Sequence, residues 1–72
     1  MVAAKGWAVV QKGELLVRTV SPTRRAALVN WLVVEAAVRV GADWNDARIE
    51  HAWECCRLGR GAEAVAVTIK AD

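Results

Sequence analysis

The chain has 72 residues, with ten basic and eight acidic side chains, a formal net charge of +2 and a hydrophobic fraction of 56%. A chain of this length forms one domain close to the lower limit for an independent core, so we expect a single domain over residues 1–72. The net charge is too small to indicate nucleic-acid binding by itself. The high apolar fraction predicts either a dense core or an apolar patch, for which homodimerisation is the simplest use.

The chain carries no segment that predicts a membrane span or a secretion signal. Its most apolar stretch, residues 26–40, is interrupted by Asn30, Glu35 and Arg39. The first residues lack the charged head, long apolar run and cleavage site of a signal peptide. We therefore expect a cytoplasmic protein with no membrane partner. Cys55 and Cys56 are then expected to be free thiols, because adjacent cysteines on a helix point in different directions.

Two strands are predicted at the start of the chain. Lys5–Gln11 and Glu14–Val20 are rich in the apolar and β-branched residues that strands favour. Between them, Gly13 can adopt the positive φ that a tight hairpin needs. Neither strand alternates cleanly between apolar and polar residues, so the face that points to the core stays open.

A first helix is predicted over Pro22–Val38. Ser21 is placed to cap its free N–H groups, Pro22 fits the first helical position, and Gly41 follows its end. Apolar residues recur at helical spacing: Leu28, Val29, Leu32, Val33 and Ala36. A second apolar strip predicts that this helix packs against more than one neighbour. The neighbours are either the sheet and the second helix alone, or these two and a partner molecule. Glu35 and Arg39 have the spacing of an ion pair.

A second helix is predicted to begin after Asn45, a good N-cap, and to end at Gly59. Trp44 and Ile49 flank the cap at the spacing of a hydrophobic staple. The clearest amphipathic pattern of the chain follows, formed by Ile49, Ala52, Trp53 and Cys56.

The order of the predicted elements gives an α+β fold, a ββααβ two-layer domain with a three-stranded sheet packed on two helices. The third strand is predicted over Ala62–Lys70, where Val65, Val67 and Ile69 point to one side. If each element reverses the direction of the chain, this strand runs parallel to the first and antiparallel to the second. It can then border either of them.

An arginine pair opens the first helix. Arg24 and Arg25 lie where the helix dipole disfavours cations, which indicates that another molecule uses them. If successive elements alternate in direction, four segments meet at one end of the domain: the end of the second strand, the start of the first helix, the end of the second helix and the start of the third strand. We call this end the basic pole. It gathers Arg18, Arg24, Arg25, Arg57 and Arg60, and the opposite end carries Glu14, Asp43 and Asp46. Two interpretations stay open: the pole is a partner-binding site, or it is a solvated surface whose last two arginines cap the second helix.

His51 and Cys55 have the spacing of two metal ligands, or of a nucleophile and its base. They lie four residues apart on the second predicted helix, but a structural zinc needs about four ligands. A convex helix surface also forms no pocket for catalysis. We therefore expect no metal, no cofactor and no enzymatic activity.

The runs Gly6–Val10, Gly13–Val17 and Thr19–Leu32, with Trp44, Asn45 and Asp46, resemble a group of short proteins encoded by bacterial phages and prophages. The resemblance implies a setting and transfers no site residue. Such proteins often bind and block a host machine, and anti-CRISPR proteins are one such class. We expect a non-enzymatic inhibitor of a host protein or ribonucleoprotein complex that docks through the basic pole. The alternative is a nucleic-acid-binding protein or a homodimeric regulator.

Overall fold

Five secondary-structure elements follow one another in the predicted order in the computed structural model, which describes residues 2–71. They are β1 (Val2–Gln11), β2 (Glu14–Ser21), α1 (Arg24–Val34), α2 (Asp46–Arg60) and β3 (Ala62–Ala71). The strands form one sheet and the helices pack on one of its faces. The predicted α+β fold with ββααβ order is therefore confirmed. Within residues 2–71, neither helix is long and apolar enough to cross a membrane.

The sheet has the strand order β2-β1-β3, so β1 lies in the centre. All ten residues of β3 pair with β1 in antiparallel orientation, beginning with Ala62 opposite Gln11. The start of β3 therefore lies beside the turn between β1 and β2, where the Lys12 N–H donates to the Gly61 carbonyl at 3.0 Å. The prediction that the third strand runs parallel to the first is wrong.

The connection between the helices explains this direction. α1 ends at Val34, before the predicted end at Val38, and residues 35–45 contain no helix or strand. Arg25, in the first turn of α1, contacts Asp46 and the carbonyl of Trp44 at the start of α2. Both helices therefore begin at the same end of the domain. The chain reverses once more than predicted before it enters β3.

Thr23, and not Ser21, caps the start of α1. The Thr23 hydroxyl oxygen accepts a hydrogen bond from the Ala26 N–H at 3.1 Å, which satisfies one of the free donors of the first turn. Ser21 lies at the end of β2 instead. Its hydroxyl donates to the Thr19 carbonyl and accepts from the side-chain amide of Asn30, so it ties the strand to the helix.

The end of α1 unwinds into an irregular segment. Ala37 adopts a left-handed conformation with φ of 55°, and the Val38 N–H donates to the Leu32 carbonyl at 2.8 Å. Val38 and Val40 then pack against the core although they are not helical. These apolar residues, which extended the predicted helix, are thus partly buried in an irregular segment. The prediction that Gly41 ends the first helix is wrong, because α1 has already ended at Val34.

The start of α2 is confirmed and its end lies later than predicted. The Asn45 side chain accepts a hydrogen bond from the Arg48 N–H at 2.8 Å, as an N-cap does. Gly61 ends the helix in a left-handed conformation, with φ of 64°, and its N–H donates to the Arg57 carbonyl. Gly59 lies inside the helix.

Among residues 2–71, the largest side chains of the core belong to one cluster of seven buried residues: Val9, Leu28, Trp31, Leu32, Ile49, Trp53 and Ala62. Trp31 and Trp53 meet edge to face, with ring centroids 5.0 Å apart and ring planes at 83°, an arrangement that aromatic pairs favour. The indole N–H of Trp31 donates to the Gln11 side-chain oxygen at 3.0 Å, so its one donor is satisfied. Ala52 and Cys56 pack beside this cluster, which confirms the predicted stripe of α2.

The two faces of the sheet carry different side chains. Directly opposite residues of an antiparallel pair point to the same side, and Val9 lies opposite Ala64 on the side that the helices cover. The larger apolar residues of β3 alternate with Ala64 and therefore point away from the helices. The side away from the helices, here called the outer face, carries Val10, Leu15, Val65, Val67 and Ile69.

β2 departs from β1 in a bulge. Trp7 pairs with Ser21 and Val9 pairs with Leu16, so residues 17–20 of β2 lie opposite the single residue Ala8. Extra residues of this kind bend a strand and interrupt its hydrogen-bond ladder. The bulge places a kink in one of the two edge strands of the sheet.

Candidate functional site

Two arginines of the predicted basic pole join the two helices. Arg24 forms an ion pair with Glu50, and Arg25 pairs with Asp46 at 2.9 Å. Arg25 also donates to the carbonyl of Trp44 at 2.8 Å. These contacts explain why cations are tolerated at the start of α1, since the carboxylates of α2 offset the unfavourable helix dipole.

Of the other three predicted site residues, Arg57 lies near Arg24, and Arg18 and Arg60 lie elsewhere. Arg57 pairs with Glu54 at 3.0 Å on the same helix and lines a shallow depression together with Arg24. Arg60 is the last residue of α2, beside the start of β3. Arg18 is exposed in the bulge of β2, the opposite edge strand.

The expected basic pole is therefore not formed as one surface. Because β3 is antiparallel to β1, the end of α2 lies at the hairpin end of the sheet, away from the end of β2. Three of the five arginines pair with carboxylates of α2, whereas Arg18 lies in the edge strand β2 and Arg60 lies at the end of α2. Asp46, expected at the opposite end, is one of those partners.

A groove that the sequence did not predict lies between the end of α1 and the start of α2. Its lining combines aliphatic side chains with one tryptophan and two arginines: Val33, Val38, Val40, Trp44, Arg39 and Arg48. Val33 is 49% exposed there although it lies in a helix next to the core. We call this feature the cationic groove.

Arg48 and Trp44 have a defined geometry at one side of the cationic groove. The guanidinium carbon of Arg48 lies 4.2 Å from the ring centroid of Trp44, within the range of a cation–π contact. Trp44 immediately precedes the N-cap Asn45, and Arg48 lies in the first turn of α2. The cap thus sets the separation of the two residues, and the stacking orients the guanidinium group before any ligand arrives.

Arg39 supplies the second cation of the groove. It is exposed and lies in the irregular segment after α1. The predicted ion pair between Glu35 and Arg39 is not formed, because α1 ends before Arg39. The ion pairs found among residues 2–71 involve neither Arg39 nor Arg48.

Two unpaired cations above an apolar wall suit one class of ligand. Guanidinium groups form strong, charge-assisted hydrogen bonds to carboxylates, and an apolar groove accepts the nonpolar side of an amphipathic segment. The groove can therefore bind an acidic segment that also carries apolar side chains. The signal available in the sequence was the spacing of Trp44 and Arg48 on either side of a strong N-cap.

The His51–Cys55 pair is exposed on α2, with its Nε2 and Sγ atoms 3.6 Å apart. In residues 2–71, no third His, Cys, Asp or Glu joins the pair in a group that could hold a metal ion. Both cysteines are free thiols, as predicted.

No protein-family model, no curated protein and no solved structure matches this chain.

Proposed function

We propose that this chain is a non-enzymatic binding protein that docks onto an acidic, partly apolar segment of a partner protein through the cationic groove. One observation carries the proposal: Arg39 and Arg48 line an open apolar groove and are absent from the ion pairs of residues 2–71. An intramolecular carboxylate would neutralise such cations, as happens to Arg24 and Arg25 on the neighbouring surface. A partner can supply the carboxylates here.

A protein partner fits the groove better than a nucleic acid. A binder of single strands presents bare aromatic faces along a basic track, whereas the Arg48 guanidinium stacks on one face of the Trp44 ring. The groove walls are valines, which contribute apolar contact and no readout of bases. The formal net charge of +2 is also small for an electrostatic track along a phosphate backbone.

A narrower proposal follows from the resemblance to short phage and prophage proteins. In that setting the chain is an inhibitor of the anti-CRISPR kind, which covers a site on a host protein or ribonucleoprotein complex and performs no chemistry. The two free thiols fit the reducing cytoplasm in which such a host complex works. Inhibition by occupancy also suits a domain whose groove is open and shallow.

The test compares wild-type chain, an Arg39→Glu/Arg48→Glu variant and a Lys12→Glu/Arg60→Glu control as baits in a bacterial host lysate. Both variants change the net charge equally, but the control changes it at the hairpin end of the sheet. We expect the wild type and the control to retain the same partner and the groove variant to lose it. Circular dichroism checks that all three chains are folded.

A second measurement separates the protein partner from a nucleic acid. Fluorescence anisotropy with single-stranded and duplex DNA at about 50 mM and about 200 mM salt detects phosphate-driven binding, which falls steeply between these concentrations. We expect weak binding to both DNA forms at either concentration. Tight, salt-sensitive DNA binding, or capture of the partner by the groove variant, would contradict the proposal.

A further inference from the structure

The two edges of the sheet are built differently. On the β2 edge, the bulge over residues 17–20 interrupts pairing and projects Val17, which is 77% exposed, and the charged Arg18. Bulges and charges of this kind prevent an edge from pairing with another chain. The β3 edge has ten residues in unbroken register with β1, and it contains no proline. One edge is protected and the other is left open to a further strand.

The central part of β3 carries no charge. Glu63 and Lys70 lie near its two ends, and the residues between them are aliphatic, alanine or threonine. Val65, Val67 and Ile69 form a row on the outer face, and each is only partly buried. A long, flat, apolar edge strand is a template for strand pairing.

The β3 sequence is complementary to itself in one antiparallel register. When Val67 lies opposite the partner's Val67, Val65 lies opposite the partner's Ile69, and the whole apolar row pairs with itself. Apolar cross-strand pairs of this type stabilise a sheet. In the same register Glu63 lies opposite the partner's Ala71 and Lys70 opposite the partner's Ala64, so no like charges face each other.

We propose that two copies of this chain pair edge to edge through β3, with Val67 opposite the partner's Val67. The two three-stranded sheets then form one continuous antiparallel sheet with the helices of both copies on the same face. A two-fold axis perpendicular to the sheet relates the copies, and the interface is isologous. The pairing uses no residue of the cationic groove and stands independently of the proposed function.

Disulfide trapping tests the pairing and its register. In a Cys55→Ser/Cys56→Ala background, Val67→Cys places two thiols on directly opposed residues, whose Cα atoms are about 4.5–5.5 Å apart in an antiparallel pair. That separation lies within the range that a disulfide spans. We expect a covalent dimer under mild oxidation. Thr68→Cys is the matched control, since its copy lies diagonally at about 7–8 Å and its thiols do not meet.

A third cysteine variant distinguishes edge pairing from packing of the outer faces. Leu15 lies on the outer face but on β2, and it is 43% exposed. We expect no crosslink from Leu15→Cys. A covalent dimer through Leu15→Cys would show face-to-face packing, and equal yields from Val67→Cys and Thr68→Cys would show random collision. Either result would overturn the proposal.

Light scattering measures the same pairing without cysteines. We expect a dimer for the wild type, and a dissociation constant raised about tenfold or more by Val67→Lys, which places two like charges side by side. Leu15→Lys adds the same charge to the same face away from the β3 edge and leaves the dimer intact. A wild-type chain that stays monomeric up to about millimolar concentration rejects the proposal.

Discussion

The backbone N–H of Val9 donates to the hydroxyl of Thr19 at 2.8 Å, and the same hydroxyl donates to the Leu16 carbonyl at 2.6 Å. Thr19 is fully buried in the bulge of β2. Its side chain therefore replaces the backbone carbonyl that an unbroken strand would present to β1. A single hydroxyl group satisfies a buried donor and a strand acceptor at the point where the ladder is interrupted.

Thr19→Val should destabilise the protein. Valine has the shape of threonine but leaves the Val9 N–H without its partner, and an unsatisfied buried donor costs about 1–3 kcal/mol. Thr19→Ser keeps the hydroxyl and loses one methyl group, so its cost should be smaller. Urea unfolding followed by tryptophan fluorescence measures both. A Thr19→Val variant as stable as the wild type would show that the hydroxyl is dispensable in the bulge.

Arg25→Ala should weaken the contact between the starts of the two helices. The change removes the ion pair with Asp46 and the hydrogen bond to the Trp44 carbonyl. Both side chains of the pair are largely exposed, so the loss should be about 0.5–1.5 kcal/mol. Lys12→Ala, in the exposed hairpin turn, is the control and should stay within about 0.5 kcal/mol of the wild type.

A double-mutant cycle isolates the ion pair within that loss. Arg25→Ala, Asp46→Ala and the double variant together give the coupling energy, which should be about 0.2–1 kcal/mol and should fall at high salt. A coupling energy of zero would assign the effect of Arg25→Ala to the Trp44 carbonyl alone.

Gly59→Ala should stabilise the protein. Gly59 lies inside α2, and a Cβ atom at that position meets nothing within 4 Å. Alanine restricts the unfolded chain and favours the helix, for a gain of about 0.5–1 kcal/mol. The melting temperature should rise accordingly. A fall would indicate that α2 requires the flexibility of glycine near its end.

Gly6→Ala should have the opposite effect. A Cβ atom at Gly6 would lie 2.8 Å from the Ser21 carbonyl oxygen and would collide with the side chain of Ile69. Overpacking of this kind costs about 1–3 kcal/mol, because the strand backbone cannot move away. The same melting experiment checks it. A Gly6→Ala/Ile69→Val double variant separates the two clashes. The smaller valine side chain relieves the clash with residue 69 and leaves the clash with the Ser21 carbonyl oxygen.

Local patterns were enough to predict most of the elements. The N-cap at Asn45 and the stripe through Ile49 and Trp53 are short-range features, and the structure contains both. The hairpin followed from two apolar runs around Gly13, which has a φ of 81°. Interactions within a few residues fix these features, so a sequence reveals them.

The position at which α1 ends is set by tertiary packing, so the local pattern did not predict it. Val38 and Val40 continue the apolar pattern of α1, but they reach the core through an irregular segment. Periodicity alone does not distinguish a longer helix from an extended segment that returns along it. Because the segment returns, the start of α2 lies beside the start of α1. Arg24 and Arg25, which were expected to bind a partner, therefore pair with Glu50 and Asp46 within the fold.

Which face of β3 points to the core depends on the volume of its side chains. Alternation places Val65 and Val67 on one side of β3 and Ala62 and Ala64 on the other, and the alanines are the ones that face the helices. Trp31 and Trp53 fill the space above the sheet with their edge-to-face contact. Beneath two indole rings, small side chains pack better than branched ones.

The cationic groove was not predicted from the sequence for a related reason, since Val33 and Arg39 come together only when the segment after α1 folds back.

The strand order β2-β1-β3 has a consequence for how the chain folds during synthesis. Of the three strands, the central one is synthesised before both of its neighbours, and β3 is synthesised after both helices. Contacts between such distant parts of a chain slow folding, because a long loop must close before they form. The hairpin and the helices can form before β3 is synthesised. Until β3 is available, the sheet stays incomplete, with one side of β1 unpaired.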